Sequence, residues 1–501
     1  MTQEIDPIAL MQQGNYEAAR AGFKAELEKN PAAVNALHFY GMLSIILNDI
    51  ADGISYMSLS LSISPDNSAY ISNAIQALEL LEHNKHGNAN RILSQQLIKA
   101  TKNHVSSALN VARFYLKKKQ AKDCLEVLAP HASPSFETLF YKAIAHQLLS
   151  QKEVARRAME RALTCKPYHP LYSSKEANDK PRVLLIYALE NLDFLPQIGD
   201  EIAFSIYGGH FDANKFIDMN QVNISRLFVS DSDNFRDSVK QLGHYDLIIN
   251  CIADMEVCAN ALTLLTQFER FSHEIINPPT AVLNTSRVDI YQQLSSLSLQ
   301  IADTNIFHSN AQFAHYNSGF PALARPLGSS TGIGLIKLED KESLDQYLSQ
   351  SNGEILNICP FIDFQSSDGL YRKYRVFVID GEIYPEHCVA HNHWNVHSSS
   401  RMTLMKDNEQ LRQQERLFVD DISTVLSPAH QAIIKQIYKK LSLDYFGIDF
   451  SFTTDGELLV FEANAGMRVN TDYLKDFEYL TTPITKIIDA FKQMINYRIT
   501  T

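Results

Sequence analysis

A helical repeat near the start of the chain constrains its fold more than any other feature. Pro65 follows Pro31 after one period of 34 residues, and small and aromatic residues recur at fixed places around each period. One helix pair cannot bury its apolar face alone, so successive copies are expected to stack into an all-helical array over residues 1–170. The repeated packing residues are Gly14, Tyr16, Ala19 and Phe23, then Leu37, Tyr40 and Gly41, and, in a weaker copy before Pro167, Ala143, Ala155, Met159 and Ala162.

We interpret Gly14 and Ala155 as points where two helices touch rather than as chemical groups. The pattern resembles the tetratricopeptide family. That resemblance implies a curved array whose concave surface binds a peptide or protein. The array could equally form the interface of a homodimer, and the sequence does not separate these two roles.

Composition and charge exclude several classes of protein. The formal net charge is −12, which argues against a nucleic-acid partner. No apolar run reaches the roughly 18 residues of a membrane span, and the first residues lack the basic and apolar segments of a leader. The six cysteines include no CxxC pair, so neither a zinc knuckle nor a disulfide framework is expected. We therefore expect a cytoplasmic protein without a membrane partner.

A linker and a small α/β domain are predicted after the array. Residues 168–181 are polar, hold two prolines and show no periodicity, so they are interpreted as a linker. Short apolar runs over 182–189, 224–230 and 245–252 alternate with helical segments, which is typical of a parallel sheet. A Rossmann-like domain is therefore expected over 181–285. The first strand is not followed by GxGxxG, so a dinucleotide is not indicated.

A loop of small residues connects two predicted strands within residues 320–348. This order predicts a hairpin and differs from the strand–loop–helix of a P-loop, and no GKS or GKT is present. Glycines allow the backbone to approach a phosphate, and hydroxyls add donors, so the loop is a candidate phosphate site. Its residues are Gly328, Ser329, Ser330, Thr331 and Gly332.

A second hairpin, over residues 443–470, is a candidate metal site. Apolar and polar side chains alternate from Ile448 to Thr453, and Asp455-Gly456 forms a turn signal. Glu462 and Asn464 then share one face of the returning strand, and the hairpin brings Asp449 opposite them. Two carboxylates and an amide oxygen suit Mg²⁺. The alternative is a solvent-facing acidic hairpin, which the apolar neighbours on both strands disfavour.

Together, the two hairpins resemble the ATP-grasp superfamily, which includes D-alanine–D-alanine ligases and the glutamate ligases that modify ribosomal protein tails. The resemblance covers about 200 residues within 277–475, and it implies an α+β ATP-grasp domain over 286–501. The predicted fold class is multidomain, with an all-α tetratricopeptide-like array, an α/β pre-ATP-grasp domain and the ATP-grasp fold. The chain is also similar to proteins that fuse such an array to an ATP-grasp module.

The resemblance implies roles for individual residues, with ATP and Mg²⁺ as cofactors. Asp449, Glu462 and Asn464 would hold two Mg²⁺ ions, and Ser329, Ser330 and Thr331 would cover the phosphates. Arg287 and Arg325 stand where the family usually has lysines, and Arg keeps the charge while offering a planar fork.

The adenine and the reacting groups would be bound by further residues. Phe361 and Ile362 would form the adenine hinge, with Asp363 or Asp368 near the ribose. Arg375 would stabilise the acyl phosphate or the γ-phosphate, and Arg372 and Lys373 are candidates for the same role.

Four histidines, His387, His391, His393 and His397, lie within eleven residues. Their spacing matches no standard zinc pattern. His391 and His393 would share one face of a strand, and His391 is a candidate base for the attacking amine. Ordinary polar packing is the alternative for the whole cluster.

The predicted activity is ADP-forming ligation of a carboxylate to an amine, through an acyl phosphate, on a peptide or protein held by the array. Small-molecule amines or carboxylates are expected as co-substrates. One alternative is a degenerate nucleotide-binding scaffold, which the two Lys-to-Arg differences slightly favour and the retained Asp449, Glu462 and Asn464 disfavour. The other is an ATP-grasp phosphotransferase. The sequence identifies neither substrate nor the oligomeric state, and it does not say whether the polypeptide is a substrate or a regulator.

Overall fold

The computed structural model describes residues 6–131, 135–171, 180–190, 192–207, 210–211, 213, 216–218, 220–271, 275–308, 316, 319–329, 332, 334–350 and 355–500. The chain divides into two compact units. The first is Met1–Cys165 with Phe194–Ser205, and the second is Lys166–Asp193 with Ile206–Thr501. The predicted division into three domains, at 170, 181 and 285, stays a prediction.

The first unit is a run of helices joined by short turns, in agreement with the predicted helical array. Each helix packs against its neighbour in sequence, and the core is made of the small and large apolar residues of the repeats. The helices are α1 Pro7–Gln12, α2 Tyr16–Lys29, α3 Val34–Ile46, α4 Ile50–Ile63, α5 Ser68–His83, α6 Gly87–Thr101, α7 Val105–Lys117, α8 Ala121–Leu128, α9 Phe136–Leu148 and α10 Lys152–Cys165.

The glycines of the array have two different roles, and the interpretation of Gly14 as a helix contact is wrong. Gly14 lies in the turn between α1 and α2 with φ +78°, and a Cβ there would meet no atom within 4 Å. A left-handed turn residue, rather than close packing, explains this glycine. Gly41 does mark a contact, because a Cβ there would lie 2.7 Å from the backbone nitrogen of Met57 on α4. Ala155 is fully buried, as expected.

A two-stranded hairpin, of which Phe194–Ser205 belong to the first unit, packs on the array. Its strands are β3 Asp193–Ile198 and β4 Ile202–Tyr207. Arg113 of α7 donates to the carbonyl of Asp200 at 2.8 Å, and Gln147 of α9 donates to the carbonyl of Phe194 at 3.2 Å. Removing the array would therefore leave this hairpin without its packing partner.

The second unit begins with a five-stranded sheet and the helices that follow its strands. The elements are β1 Tyr168–Pro170, β2 Arg182–Ala188, β5 Asn223–Val229, α11 Asp233–Gln241, β6 Leu247–Asn250, α12 Met255–Thr266, β7 Ile275–Ile276, α13 Pro279–Val282 and α14 Arg287–Leu294. The strand order is β1-β5-β2-β6-β7. Strands β5, β2, β6 and β7 are parallel, and the three apolar runs of the sequence form β2, β5 and β6. Tyr168–Pro170, predicted as linker, instead pairs antiparallel with β5.

Two antiparallel sheets follow in the second unit. Their elements are β8 Gln300–Ile301, β9 Asn305–Phe307, β10 Ala322–Pro326, β11 Ile336–Leu338, α15 Lys341–Gln350, β12 Leu356–Pro360, β13 Tyr371–Ile379, β14 Glu382–His391, α16 Glu409–Asp420, α17 Pro428–Leu441, β15 Tyr445–Phe452, β16 Leu458–Asn464 and α18 Thr481–Thr500. The first sheet has the order β11-β10-β12-β9, and the second has β14-β13-β15-β16 with β8 added in parallel at its edge. Helices α16, α17 and α18 contact β14 of the second sheet.

Within the described ranges, none of the helices combines the length and the apolar run that a membrane span requires.

Candidate active site

The acidic hairpin forms as the alternation of the sequence predicts. Strands β15 and β16 pair antiparallel, and Gly456 makes the turn between them with φ +82°. Asp449 lies directly opposite Glu462, and Gly447 lies opposite Asn464. Because side chains alternate between faces along a strand, Asp449, Glu462 and Asn464 share one face of the sheet. Asp449 is buried, while Glu462 and Asn464 are half-buried.

Arg375 and Lys373 of the neighbouring strand β13 face this hairpin. Arg375 donates to both oxygens of Asp449, from Nε at 2.6 Å and from Nη2 at 3.0 Å. The ammonium of Lys373 lies 3.2 Å from Oδ2 of the same carboxylate. Burial alone would raise the pKa of Asp449, but the charges of Arg375 and Lys373 outweigh it and hold the pKa well below its ordinary value. The two candidate catalytic cations and the first candidate metal ligand are therefore in direct contact.

Arg372, the third candidate cation of this strand, faces away from them. It is one residue out of phase with Lys373, so it projects from the opposite face of the sheet. Its guanidinium donates to both oxygens of Asp368, at 2.9 and 2.6 Å. This pairing lowers the pKa of Asp368 to about 2. The proposed phosphate role for Arg372 and the ribose role for Asp368 do not fit this geometry.

The side-chain oxygens of the acidic hairpin suit Mg²⁺, but they would fill only part of its coordination shell, and phosphates would have to supply other ligands. Glu462 accepts from the Asn464 amide at 3.0 Å, and Oδ1 of Asn464 accepts from the Gly466 N–H at 2.7 Å. In the described part of the chain, no three His, Cys, Asp or Glu side chains stand close enough to hold a metal ion. Hard oxygen donors that supply only part of a shell match Mg²⁺, which usually completes its octahedron with substrate phosphates and water.

The small-residue loop is carried by a hairpin, as predicted. Strands β10 and β11 pair antiparallel, and Gly328 and Gly332 adopt φ +69° and +70°. Nε of Arg325 donates to Oγ of Ser329 at 3.1 Å, and its Nη2 donates to the Ser329 carbonyl. Ser330 and Thr331 lie outside the described residues. The candidate phosphate groups Arg325, Gly328 and Ser329 are thus gathered at the base of one loop.

Glu256, which the sequence analysis did not single out, joins this loop to Arg287. It lies in the first turn of α12 and accepts from Nη1 of Arg287 at 2.6 Å and from the Gly328 N–H at 3.0 Å. The side chain is 7% exposed. Burial would raise the pKa of Glu256, but the Arg287 charge and these hydrogen bonds lower it. A buried carboxylate therefore occupies two donors that are candidates for phosphate binding.

The predicted adenine hinge lies at the end of β12. Phe361 and Ile362 are half-buried and Asp363 is exposed. The ammonium of Lys337 lies 4.3 Å from the Phe361 ring centre, and Trp394 packs edge-on against the same ring at 5.9 Å. An aromatic surface with a nearby cation suits a flat heterocycle, so these residues remain candidates for the base.

The four histidines do not form one cluster, because His387 is buried inside the domain while the others lie at or beyond the end of β14. Nδ1 of His391, at the end of β14, accepts from the His393 N–H at 3.1 Å. His397 packs against the loop, since a Cβ at Gly332 would collide with its ring. The pKa of His397 is lowered by burial and by the charges of Lys373, His391 and Arg325. His387 is instead buried inside the domain, where Nδ1 lies 2.9 Å from Oε2 of Glu386.

Comparison with known protein families identifies the domain that contains the two hairpins. Residues 286–478 match the model of the RimK-like ATP-grasp domain. This segment is a RimK-like ATP-grasp domain, preceded by an α/β sheet and a helical array. The resemblance and the fold class inferred from the residues are thereby confirmed. No curated protein matches the chain.

Three solved structures resemble the chain at low identity. An ADP complex of N5-carboxyaminoimidazole ribonucleotide synthetase is 14% identical, with 52% of this chain and 63% of that chain covered and a TM-score of 0.35. The RimK domain protein of Sphaerobacter thermophilus is 12% identical, with coverages of 64% and 100% and a TM-score of 0.35. VanG D-Ala:D-Ser ligase of Enterococcus faecalis is 12% identical, with coverages of 63% and 99% and a TM-score of 0.37. The chain spans under two thirds of the first of these, and all three are too distant to assign an activity.

Proposed function

We propose that the chain is an ATP-dependent ligase that activates a carboxylate as an acyl phosphate and joins it to an amine. One observation carries this proposal: Arg375 and Lys373 meet Asp449 on the same sheet face as Glu462 and Asn464, inside a RimK-like ATP-grasp domain. Cations beside a set of Mg²⁺-type oxygens are what phosphoryl transfer to a carboxylate requires.

The chemistry assigns a task to each group. A carboxylate oxygen attacks the γ-phosphorus of ATP, and ADP leaves with the electrons of the broken P–O bond. Arg287, Arg325 and the loop N–H groups would hold the phosphates, and Arg375 would hold the oxygens of the acyl phosphate. Asp449, Glu462 and Asn464 would hold Mg²⁺, which when bound neutralises charge on the phosphates. The amine nitrogen then attacks the acyl carbon, and phosphate leaves.

Hydroxylamine trapping tests the proposal whatever the natural amine is, because hydroxylamine takes its place. The full chain is incubated with Mg-ATP, hydroxylamine and a panel of amino acids and short peptides as carboxylates. We expect ADP, phosphate and a hydroxamate to form in equal amounts with at least one carboxylate. A phosphorylated product without hydroxamate would instead indicate a phosphotransferase. ADP release with no carboxylate, and no hydroxamate with any, would contradict ligase chemistry.

A nucleotide-binding scaffold is the second candidate, and the pairing within the site favours it. Both oxygens of Asp449 already accept from Arg375, and Lys373 lies 3.2 Å from one of them. A carboxylate satisfied in this way has less reason to bind Mg²⁺. In that case the chain would bind nucleotide but release no ADP under any condition of the trapping experiment.

We further propose that the helical array holds a polypeptide substrate. The support is its repeat architecture and an exposed apolar pair on one face of α4, where Leu59 and Ile63 are 46% and 47% exposed. Deleting the array would also remove the packing partner of the β3–β4 hairpin, so amino-acid substitutions within the array are the cleaner test. In L59E/I63E we expect turnover of a polypeptide to fall while nucleotide binding is kept. V154E alters an apolar residue that is 50% exposed on α10 and is the matched control.

A further inference from the structure

Glu256 contacts the donors of the phosphate loop in the way that a phosphate would. Its carboxylate accepts from Nη1 of Arg287 at 2.6 Å, from the Gly328 N–H at 3.0 Å and from the side-chain amide of Asn357 at 3.4 Å. A guanidinium and the backbone N–H of a glycine-rich loop are groups with which proteins bind phosphate oxygens. The carboxylate therefore takes the place of an anion at this loop.

The Gly328 N–H cannot serve Glu256 and a phosphate at the same time. A backbone N–H offers a single hydrogen, and Glu256 already accepts it. Burial would raise the pKa of this carboxylate, but the Arg287 charge and the Gly328 N–H lower it, so the group is ionised. Two anions beside one donor repel each other. A phosphate that binds Gly328 must therefore displace Glu256.

Arg287 connects Glu256 to the metal end of the site. Burial lowers the pKa of Arg287, but the charges of Glu462 and Glu256 outweigh it and raise the pKa. Nη2 of Arg287 also donates to the Ser329 carbonyl at 3.4 Å. The guanidinium thus lies between a candidate metal ligand, the phosphate loop and Glu256, and phosphates that share Mg²⁺ with Glu462 would meet it.

The length of the phosphate chain decides which nucleotides can reach this contact. Asn357 lies four residues before the candidate base residue Phe361. At about 3.3 Å per residue of strand, the two positions are about 13 Å apart. The single phosphate of AMP stays close to the ribose, whereas the chains of ADP and ATP extend further from a base at Phe361.

The segment that carries this carboxylate fits closely against both candidate hairpins. A Cβ at Gly328 would lie 2.9 Å from Cγ2 of Val257. A Cβ at Gly466, which follows the acidic hairpin, would collide with Cβ of Ala253. The segment Ala253–Val257 therefore lies between the phosphate loop and the end of the candidate metal site.

A kink separates this segment from the rest of α12. Cys258 has φ −104° and ψ 22°, whereas helical residues have about −63° and about −42°. The first turn before the kink is capped by Asp254, which accepts from the Val257 N–H at 3.3 Å through its side chain. The Asp254 carbonyl accepts from the Cys258 N–H at 2.9 Å. Because the helical geometry is interrupted at Cys258, the first turn can shift while the remainder of α12 keeps its packing on β2 and β5.

We propose that Ala253–Val257 is an autoinhibitory latch, which the phosphates of a nucleotide release. Without nucleotide, Glu256 holds Gly328 and Arg287. A nucleotide with at least two phosphates displaces the carboxylate and frees the first turn of α12. The latch goes beyond the proposed ligase activity, because it requires only that phosphates bind at these two residues. Through α12, the α/β sheet would respond to the presence of bound nucleotide.

Hydrogen exchange of the full chain tests the latch. Exchange is measured by mass spectrometry on peptides that contain the Val257 and Cys258 amides, with saturating Mg-ADP, a nonhydrolysable ATP analogue with Mg²⁺, or AMP. We expect Mg-ADP and the analogue to raise the exchange rate of these amides by about tenfold or more, because a charge-assisted contact no longer holds the first turn. AMP should leave the rate unchanged.

A variant of the latch residue supplies the second reading. Glu256→Gln should show the raised exchange rate without any nucleotide, because the loss of charge weakens the hold on Arg287 and Gly328. Asp237→Asn is the matched control, since it removes an exposed ion pair with Lys240 on α11. It should exchange as the wild type does, with and without nucleotide.

The outcomes separate the latch from the proposed function. Slower or unchanged exchange when ADP binds would overturn the latch and leave the ligase proposal intact. Binding of ADP by Glu256→Gln alone would support a latch that keeps the wild type closed. If neither protein binds a nucleotide, the latch and the ATP-dependent function both fail. If Glu256→Gln does not fold, the comparison of ADP with AMP in the wild type decides.

Discussion

Replacing Glu256 by Gln should strengthen nucleotide binding. The carboxylate holds Nη1 of Arg287 at 2.6 Å and the Gly328 N–H at 3.0 Å, and both donors are candidates for the ATP phosphates. A phosphate must then displace Glu256 before it can use them. The Gln variant keeps the size and one acceptor oxygen but removes the competing negative charge.

The magnitude follows from the contact that is lost. A charge-assisted hydrogen bond of this kind contributes about 1.5–3 kcal/mol. If nucleotide binding breaks that bond, the dissociation constant of Glu256→Gln should be about ten- to a hundredfold lower than that of the wild type. The free energy of unfolding without nucleotide should fall by a similar amount, because Arg287 loses its partner.

Titration calorimetry with Mg-ADP and urea unfolding measure the two effects. Asp345→Asn removes an exposed ion pair with Lys341 and should change neither quantity appreciably. An equal or weaker affinity in Glu256→Gln would refute the reasoning. The phosphates would then be bound without Arg287 and Gly328, or with Glu256 still in place.

Three further predictions concern stability. Asp449→Asn leaves Arg375 and Lys373 without their carboxylate and should lower the free energy of unfolding by about 3–5 kcal/mol, measured with urea; a loss below about 1 kcal/mol would contradict the buried pairing. Glu415→Gln should cost about as much, because Arg401, the Cys388 N–H and the Tyr479 hydroxyl all donate to that carboxylate; Glu409→Gln, on an exposed position, is its control. Burial lowers the pKa of His38 from 6.5 to about 4 in the folded state. Between these two pH values the unfolded state binds a proton that the folded state does not. The free energy of unfolding therefore decreases as the pH falls from 6.5 to about 4. Between about pH 7.5 and about pH 5, the wild type should lose about 2 kcal/mol more than His38→Gln, and equal losses would refute this origin.

Local patterns predicted the elements of the site better than its contacts. The alternation around Asp449 and the Asp455-Gly456 turn correctly predicted the hairpin that sets Asp449 opposite Glu462, because strand period and turn chemistry are local properties. Glu256 was missed because its partner Gly328 is 72 residues away in the chain. Nothing near it in the sequence specifies that contact.

Glu386 was also missed, and a β-bulge in β14, where Arg375 pairs with His387 and Val376 pairs with Pro385, explains why. Glu386 and His387 both approach the site only because β14 slips by one residue against β13, and a strict alternation would have placed them on opposite faces. The local cue was an acidic residue beside a histidine in the middle of a strand. Arg372 and Lys373 could, in contrast, have been separated by strand period alone.

The measurement that tests the central claim most directly is titration of a nonhydrolysable ATP analogue into the full chain, with and without Mg²⁺, for the wild type and Glu462→Gln. The account predicts tight binding that depends on Mg²⁺ in the wild type, and binding about tenfold or more weaker in Glu462→Gln with little dependence on the metal. Equal, metal-dependent binding in both proteins would contradict the assignment of the acidic hairpin as the metal site of an ATP-dependent ligase.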